Sequence, residues 1–344
     1  MAAELFAEYS QFKPLAGGRI NSTVELASLD PFIWDAARKH IVPHLSATVY
    51  NALVSAFAGN TMTSAQSALL PYVRRPLALL AIYEYSKVAN VELSDSGMHR
   101  IETETRKAAY RYQEKQYQED ALEKGYDALE SMLIFLNANT ATYTDWAASD
   151  EGKAHRYSLV NLASQVRLLT SHNCDRFSYE TLRPLINHQQ LMTIQQVLPA
   201  SYWTYFIGRY VANTLSDDEK MVLLYMRNAI AYGAMNEAIN QHYITISKGR
   251  VYVTEDRGDQ AGAHRVLPPA GSSALQSNAV HADRYHWLWK QYIYQHPTSF
   301  AGVFDTASGG TNTSADAWHV NTADEAQQIL NARDAENKKG VYIL

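Results

Sequence analysis

Two histidines spaced four residues apart are the first residues whose type and spacing could do chemistry. His40 and His44 fall on one face of a predicted helix, and this spacing allows two imidazoles to share a zinc ion. Pro43 lies between them, and no HExxH motif accompanies them. A related stretch further along the chain has Thr193 and Val197 at the aligned positions. We therefore expect structural histidines here and no metal site.

Other reactive side chains also lack a catalytic arrangement. His281 and His286 near Asp283 form no recognised ligand set, and the nucleophile elbow GxSxG, the P-loop and the GxGxxG motif are absent. The triplet Arg257-Gly258-Asp259 could be an adhesion tripeptide, but without an export signal a polar loop is the better interpretation. We expect no catalytic residues and no cofactor.

Composition restricts the class of protein. Cys174 is the single cysteine, so an intrachain disulfide and a thiolate metal site are both excluded. The first residues show no Sec signal, and the longest apolar run, Pro76 to Tyr83, is too short to cross a bilayer. These features predict assembly in a cytosol and no membrane partner. The formal charge of -5 offers no basic footprint for sequence-specific nucleic-acid binding.

Part of the chain is repeated. Residues 29–94 align on residues 182–247 at a constant offset of 153 and without a gap. Fifteen aligned pairs are identical. The charged pairs among them are Arg74 with Arg227 and Glu84 with Glu237, which we interpret as structural ion pairs or helix-surface contacts. The pattern indicates a tandem duplication, and the candidate catalytic groups fall in one copy only.

The retained apolar, aromatic and small residues are the predicted packing residues of the two repeats. In repeat 1 they are Leu29, Ile33, Leu45, Tyr72, Ala78 and Ala81. In repeat 2 they are Leu182, Ile186, Leu198, Tyr225, Ala231 and Ala234. Their spacing is typical of amphipathic helices, with the alanines small enough for close helix packing.

The elements of repeat 1 follow from this periodicity. A first helix is predicted to open with Asp30 as N-cap and Pro31 at its first position, and Pro43 should kink or end it. Two further helices are predicted over residues 49–57 and 66–88, with Pro71 and Pro76 interrupting the second. The corresponding segments of repeat 2 are residues 202–210 and 219–241.

Each repeat then continues into a predicted β-hairpin and a further helix. The hairpins cover residues 91–104 and 243–255. In repeat 1 a long helix follows over about residues 104–136. In repeat 2 a flexible insert, residues 256–280, precedes a helix over residues 282–296. The predicted layout is an N-terminal arm (1–27), repeat 1 (28–136), a linker (137–157), repeat 2 (158–296) and a C-terminal tail (297–344).

Two segments of repeat 1 carry a resemblance to a known family. FIWDAARKHIVPHLSATVYNAL (Phe32 to Leu53) followed by LLPYVRRPLALLAIYEY (Leu69 to Tyr85) resembles the head-to-tail connector, or adaptor, proteins of tailed bacteriophages. The chain is more similar still to two-copy proteins of unknown function from phages and prophages of Bacteroidetes. The resemblance covers both repeats and implies a mainly α fold of two tandem helical-bundle, adaptor-like repeats, each with a β-hairpin arm and a following long helix.

The resemblance implies a structural role in the virion. Adaptors form a homo-oligomeric ring, commonly a dodecamer, beneath the phage portal protein, and pass packaged DNA through the lumen without sequence-specific binding. The expected location is therefore the phage neck, after assembly in the host bacterial cytoplasm, and the expected partners are the portal protein and the next neck or tail protein. The apolar residues Tyr342, Ile343 and Leu344 are the predicted portal-docking residues.

Two other functions remain open on the sequence alone. The same repeat could build a different neck, tail or virion protein, or a soluble host-range interaction module. An all-α enzyme is the third possibility, and it would need a polar pocket with His, Asp and Glu from both repeats.

Overall fold

The computed structural model is mainly helical, as the sequence predicts. It describes residues 4–16, 26–89, 91–94, 97–100, 111–241, 244–247, 250–253, 273–300 and 303. None of the helices in these ranges combines the length and the apolar character needed to span a membrane.

Thirteen α-helices, two π-helical turns and two strand pairs lie within the described ranges. The helices are α1 (Tyr9–Phe12), α2 (Leu26–Ala36), α3 (Val42–Leu45), α4 (Ala47–Ala58), α5 (Ser64–Ser86), α6 (Arg111–Ala138), α7 (Thr144–Ala148), α8 (Asp150–Arg156), α9 (Ala163–Thr170), α10 (Arg176–Gln190), α11 (Ala200–Val211), α12 (Asp217–Asn240) and α13 (Ser273–Gln295). The π-helical turns follow α2 and α10, at Ala37–Ile41 and Leu191–Gln195. The antiparallel strand pairs are β1 (Val91–Ser94) with β2 (Gly97–Arg100), and β3 (Ile244–Ser247) with β4 (Arg250–Val253).

The chain divides into two compact units. Unit 1 comprises residues 1–184 with 242–263, and unit 2 comprises residues 185–241 with 264–344. In unit 1, α5 packs on α2 and α6, and in unit 2, α12 packs on α13. The apolar faces that the periodicity indicates are the faces that these helix pairs bury.

The helices α4 and α11 end in the same way. They start at Ala47 and Ala200, 153 residues apart, and have 12 residues each. Asn60 and Asn213 follow them with φ of 52° and 55°, in the left-handed region that asparagine tolerates. The next amide donates back into the last turn in both cases, at 2.9 Å, which is the Schellman pattern of helix termination.

The helices α5 and α12 begin in the same way. Thr63 and Ser216, again 153 residues apart, are the N-caps, and each forms a reciprocal capping box with the residue three positions later, Gln66 and Glu219. Such a box satisfies two amide groups that the first turn would otherwise leave without partners.

Pro43 lies where the first helix is interrupted and ends, as expected, because a π-helical turn precedes it and α3 stops at Leu45. Pro31, Pro71 and Pro76 do not mark helix ends. The helix α2 starts at Leu26, so Asp30 is not its N-cap and Pro31 lies inside it. Burial of Leu29 favours the extra turn, and Pro31 removes only one hydrogen bond near the helix start. The helix α5 likewise runs unbroken through Pro71 and Pro76. Packing on two neighbouring helices outweighs a cost of about 3 kcal/mol for each interior proline.

Segments predicted as an arm, a linker and an insert contain ordered structure. Leu5, Phe6 and Phe12 of the N-terminal segment are fully buried in the core of unit 1. The expected linker forms α7 and α8, and its Trp146 is fully buried. The helix α13 begins at Ser273, so residues 273–280 are helical and do not belong to a flexible insert. Residues 256–272 and 304–344 lie outside the described residues.

Candidate interaction site

The structure directs His40 and His44 to different partners. His40 Nε2 lies 3.1 Å from Glu84 Oε1, and its Nδ1 lies 3.1 Å from the Tyr126 hydroxyl. His44 Nε2 lies 3.6 Å from Glu180 Oε1. Within the described ranges, no group of three His, Cys, Asp or Glu side chains is arranged to hold a metal ion.

The other reactive residues are packed among aromatic or apolar groups. His281 stacks on Tyr232 with ring centroids 4.9 Å apart, whereas His286 meets Trp289 edge-on, and burial lowers the pKa of His286 to about 4. Burial also raises the pKa of the Cys174 thiol, which keeps it protonated and unreactive at neutral pH. Arg257-Gly258-Asp259 lies outside the described residues.

A buried polar cluster joins the segment after α8 to α10 in unit 1. The Arg176 side chain, 1% exposed, is 2.6 Å from Glu180 Oε1 and donates from Nη1 to the Asn161 carbonyl at 3.1 Å. Its guanidinium also lies over the Tyr179 ring, 4.5 Å from the centroid. The Tyr179 hydroxyl donates to the Val160 carbonyl at 2.8 Å.

Two buried histidines complete this cluster. Asn161 Nδ2 donates to the His155 carbonyl at 3.1 Å, and Trp146 Nε1 donates to the His44 carbonyl at 2.9 Å. Burial, with a smaller contribution from the nearby Arg176, lowers the pKa of His155 to about 3 and that of His44 to about 4. Both imidazoles are therefore neutral at physiological pH.

Glu180 is the acidic partner in the cluster. Burial alone would raise its pKa, but Arg176, His44 and Arg183 outweigh burial and lower it, so the carboxylate is charged at neutral pH. Because Arg176 is enclosed, a substrate could not reach the guanidinium without opening the fold. The cluster therefore holds α8, α9 and α10 together and is a poor candidate for catalysis.

The two arginines that the sequence alignment pairs both lie over aromatic rings. Arg74 lies over the Phe57 ring at 4.7 Å, and Arg227 lies over the Tyr210 ring at 5.4 Å. Arg74 also donates to the Leu5 carbonyl at 2.6 Å. Each arginine therefore makes a cation–π contact with a ring of the helix before it.

The paired glutamates contact equivalent earlier segments, Glu84 the π-helical turn after α2 and Glu237 the end of α10. Glu84, 7% exposed, meets His40 at 3.1 Å, Lys39 at 3.4 Å and Lys87 at 2.9 Å. Burial alone would raise its pKa, but hydrogen bonds from Lys87 and His40 lower it overall. Glu237 accepts a hydrogen bond from Gln189 at 3.0 Å and lies 3.4 Å from His188 Nδ1. Both glutamates therefore connect two helices of their own unit.

Most of the predicted packing residues are buried. Leu29, Ile33, Leu45, Ala78, Ala81, Leu182, Ile186 and Ala234 have no exposed surface, and Leu198 and Ala231 have 4% and 1%. The two tyrosines differ from the expectation. Tyr72 is 39% exposed and Tyr225 is half-buried, because each packs its ring on the surface of the following helix. The predicted docking residues Tyr342, Ile343 and Leu344 lie outside the described residues.

An open groove between α5 and α6 is the best candidate for binding on the described surface. It encloses about 460 Å³ and is lined by Pro71, Tyr72, Arg75, Lys124, Asp127, Ala128 and Ser131. Tyr72 forms one wall, and its ring stacks on Phe135 with centroids 4.1 Å apart. The lining combines apolar side chains with charged ones, a mixture that is common at protein-binding sites.

Sequence reasoning missed both the buried cluster and the groove. Arg176 and Glu180 have the i, i+4 spacing of a helical ion pair, which was a usable signal. The tryptophan in the expected linker, Trp146, was a second signal, since a large aromatic side chain rarely lies in a free linker. The groove had no such signal, because an alanine at position 128 is ordinary on a helix.

Residues 29–156 match a family of unknown function (DUF6712), over less than half of the chain. The matched region runs from α2 to α8, so it includes the groove between α5 and α6 together with Trp146 and His155. No curated protein and no solved structure matches the chain significantly.

Proposed function

We propose that this protein is a structural component of a tailed-phage virion, a head-to-tail adaptor. Identical subunits form a ring under the portal protein, extend the DNA channel towards the tail and contact the next neck protein. This role follows from the resemblance of residues 32–53 and 69–85 to connector proteins.

The main support is that several local features recur along the chain at an offset of 153 residues. The elements α4, α5 and the first strand pair recur 153 residues later as α11, α12 and the second strand pair. The same Asn caps, capping boxes and Arg-over-ring contacts recur with them. The charged residues that both segments share have packing partners within the protein. This is what we expect of a structural protein.

The hairpins fit the proposal as subunit-gripping arms. The pairs β1–β2 and β3–β4 have four residues per strand and belong to two-stranded sheets. Strand pairs of this size are marginally stable alone and gain from pairing with another chain. In a ring, each would extend towards the neighbouring subunit.

The charge of the chain also suits a DNA channel. A formal charge of -5 gives no strong attraction to phosphates, which favours sliding over tight binding.

Co-sedimentation with the portal protein from the same phage genome tests the role. The full chain is expected to sediment with assembled portal. A chain shortened by Gly340 to Leu344 is expected to keep its helical content and lose most of this association, because Tyr342, Ile343 and Leu344 are the proposed docking residues.

A matched variant controls for the loss of tail residues in general. It retains the three docking residues and replaces Lys338 and Lys339 with serine, and it should bind as the full chain does. Absence of portal binding by the full chain would contradict the adaptor role, and equal binding by the shortened chain would contradict the docking site.

A further inference from the structure

The helix pair α5–α6 of unit 1 has a counterpart in α12–α13 of unit 2. Phe135 stacks on Tyr72, and Tyr292 packs on Tyr225 with centroids 6.2 Å apart. Asn139, four residues after Phe135, hydrogen-bonds to the Phe135 carbonyl at 2.8 Å. His296, four residues after Tyr292, hydrogen-bonds to the Tyr292 carbonyl at 2.9 Å. Phe135 and Tyr292 therefore occupy equivalent positions.

The two pairs differ at the floor of the groove. Seven residues before Phe135 is Ala128, and seven residues before Tyr292 is Tyr285. The Tyr285 ring lies 6.4 Å from Tyr225 and 6.0 Å from Tyr232. Unit 2 thus covers this surface with its own tyrosine, whereas in unit 1 the alanine leaves the groove open.

The rim of the open groove offers partners to a phenol. Arg75 is exposed and no described residue pairs with it, so its guanidinium can donate to an incoming oxygen. Asp127 has an exposed side chain, and its pKa is raised by desolvation of the carboxyl and by neighbouring carboxylates such as Glu123. A phenol hydroxyl can donate to Asp127 and accept from Arg75, while its ring stacks beside Tyr72.

The chain has an exposed tyrosine that could occupy this groove. Among the described residues, the aromatic side chains exposed outside the groove are Trp34, Tyr112, Tyr157, Tyr205 and Tyr294. Arg38 lies over Trp34, and Arg209 lies over Tyr205, and Tyr112 and Tyr157 have other partners. Tyr294 is 59% exposed and makes no hydrogen bond, ion pair or ring contact with any described residue.

We propose that Tyr294 of one subunit occupies the α5–α6 groove of a neighbouring subunit, over Ala128 and beside Tyr72. This inference rests on the proposed ring and names a contact that builds it. The groove belongs to unit 1 and Tyr294 belongs to unit 2, so the contact joins two different surfaces of the chain. When such a contact repeats from subunit to subunit, identical subunits form a ring if the rotation between neighbours closes.

Mass photometry and sedimentation velocity of the full chain and its variants test the contact. Ala128→Tyr fills the groove as Tyr285 fills its counterpart, and Tyr294→Ala removes the inserted ring. Each is expected to weaken self-association by about tenfold or more with unchanged circular dichroism, since hot-spot aromatic residues carry much of the binding energy of an interface. Tyr112→Ala removes an exposed tyrosine from α6 and is the matched control, expected to assemble as the wild type does.

A mixture of the two variants gives the sharper result. An Ala128→Tyr chain retains Tyr294, and a Tyr294→Ala chain retains the open groove, so the mixture should form one heterodimer and no larger species. A wild type that assembles while both variants assemble equally well would overturn the contact and leave the ring. A wild type that stays monomeric under the same conditions would overturn the ring and the contact together. If Ala128→Tyr fails to fold, Tyr294→Ala at its exposed position decides alone.

Discussion

At the residue scale, the buried histidines of unit 1 are structural groups whose charge state is fixed by their surroundings. His155 and His44 are 6% and 8% exposed, and Arg176 makes a positive charge on either one more costly. The same arginine helps to keep Glu180 ionised. Burial and the enclosed Arg176 thus keep both histidines neutral and Glu180 charged. The cluster contains residue types that are common in active sites, but here they stabilise the fold.

This arrangement predicts acid sensitivity. The folded-state pKa of His155 is about 3, below its unfolded value of about 6.5, so the unfolded chain binds a proton that the folded chain does not. The free energy of unfolding should therefore decrease as the pH falls from about 6.5 to about 4, by about 1.4 kcal/mol per pH unit for this residue. His155→Gln should reduce that slope in urea unfolding. Gln replacement of the exposed His188 is the control, and equal slopes for wild type and His155→Gln would refute the assignment.

At the element scale, the caps of α5 and α12 follow a local sequence pattern, whereas the N-cap expected at Asp30 and the interruptions expected at Pro71 and Pro76 are wrong. Thr63 with Gln66 and Ser216 with Glu219 form the local capping pattern that sequence rules describe. Proline effects inside α2 and α5 depend on what the helix packs against, so local rules misplace them. The same reason applies to α7 and α8, since burial of Trp146 against the body of unit 1 decides that the segment is ordered.

Two helical glycines make the packing of the helices testable. A Cβ added at Gly125 of α6 would lie 2.7 Å from Leu80 Cγ, whereas at Gly208 of α11 it would meet nothing within 4 Å. Gly125→Ala is expected to destabilise the fold by about 1 to 3 kcal/mol through overpacking against α5. Gly208→Ala is expected to stabilise it by about 0.5 to 1 kcal/mol through helix propensity.

Thermal or urea unfolding measures both changes. The two substitutions are chemically identical, so the sign difference reports only their surroundings. A Gly125→Ala chain as stable as the wild type would mean that α5 and α6 are not in close contact.

At the scale of the whole molecule, the proposed duplication can be detected in the sequence, because it preserves the spacing and the types of residues. The candidate binding surface could not be predicted from the sequence. The groove depends on the difference between Ala128 and Tyr285, and these two positions are seen to correspond only when the two helix pairs are compared. Expected core positions such as Ile33 and Ile186 follow from periodicity. The exposure of Tyr72 follows from its stacking on Phe135, which periodicity does not encode.

The central claim is that a doubled packing unit serves assembly into a closed ring. Electron microscopy of the purified full-length protein, at concentrations where sedimentation velocity shows the largest species, tests this most directly. We expect closed rings of identical subunits with an open central channel. Single particles of one chain's mass at every concentration, or open filaments without closure, would contradict the claim.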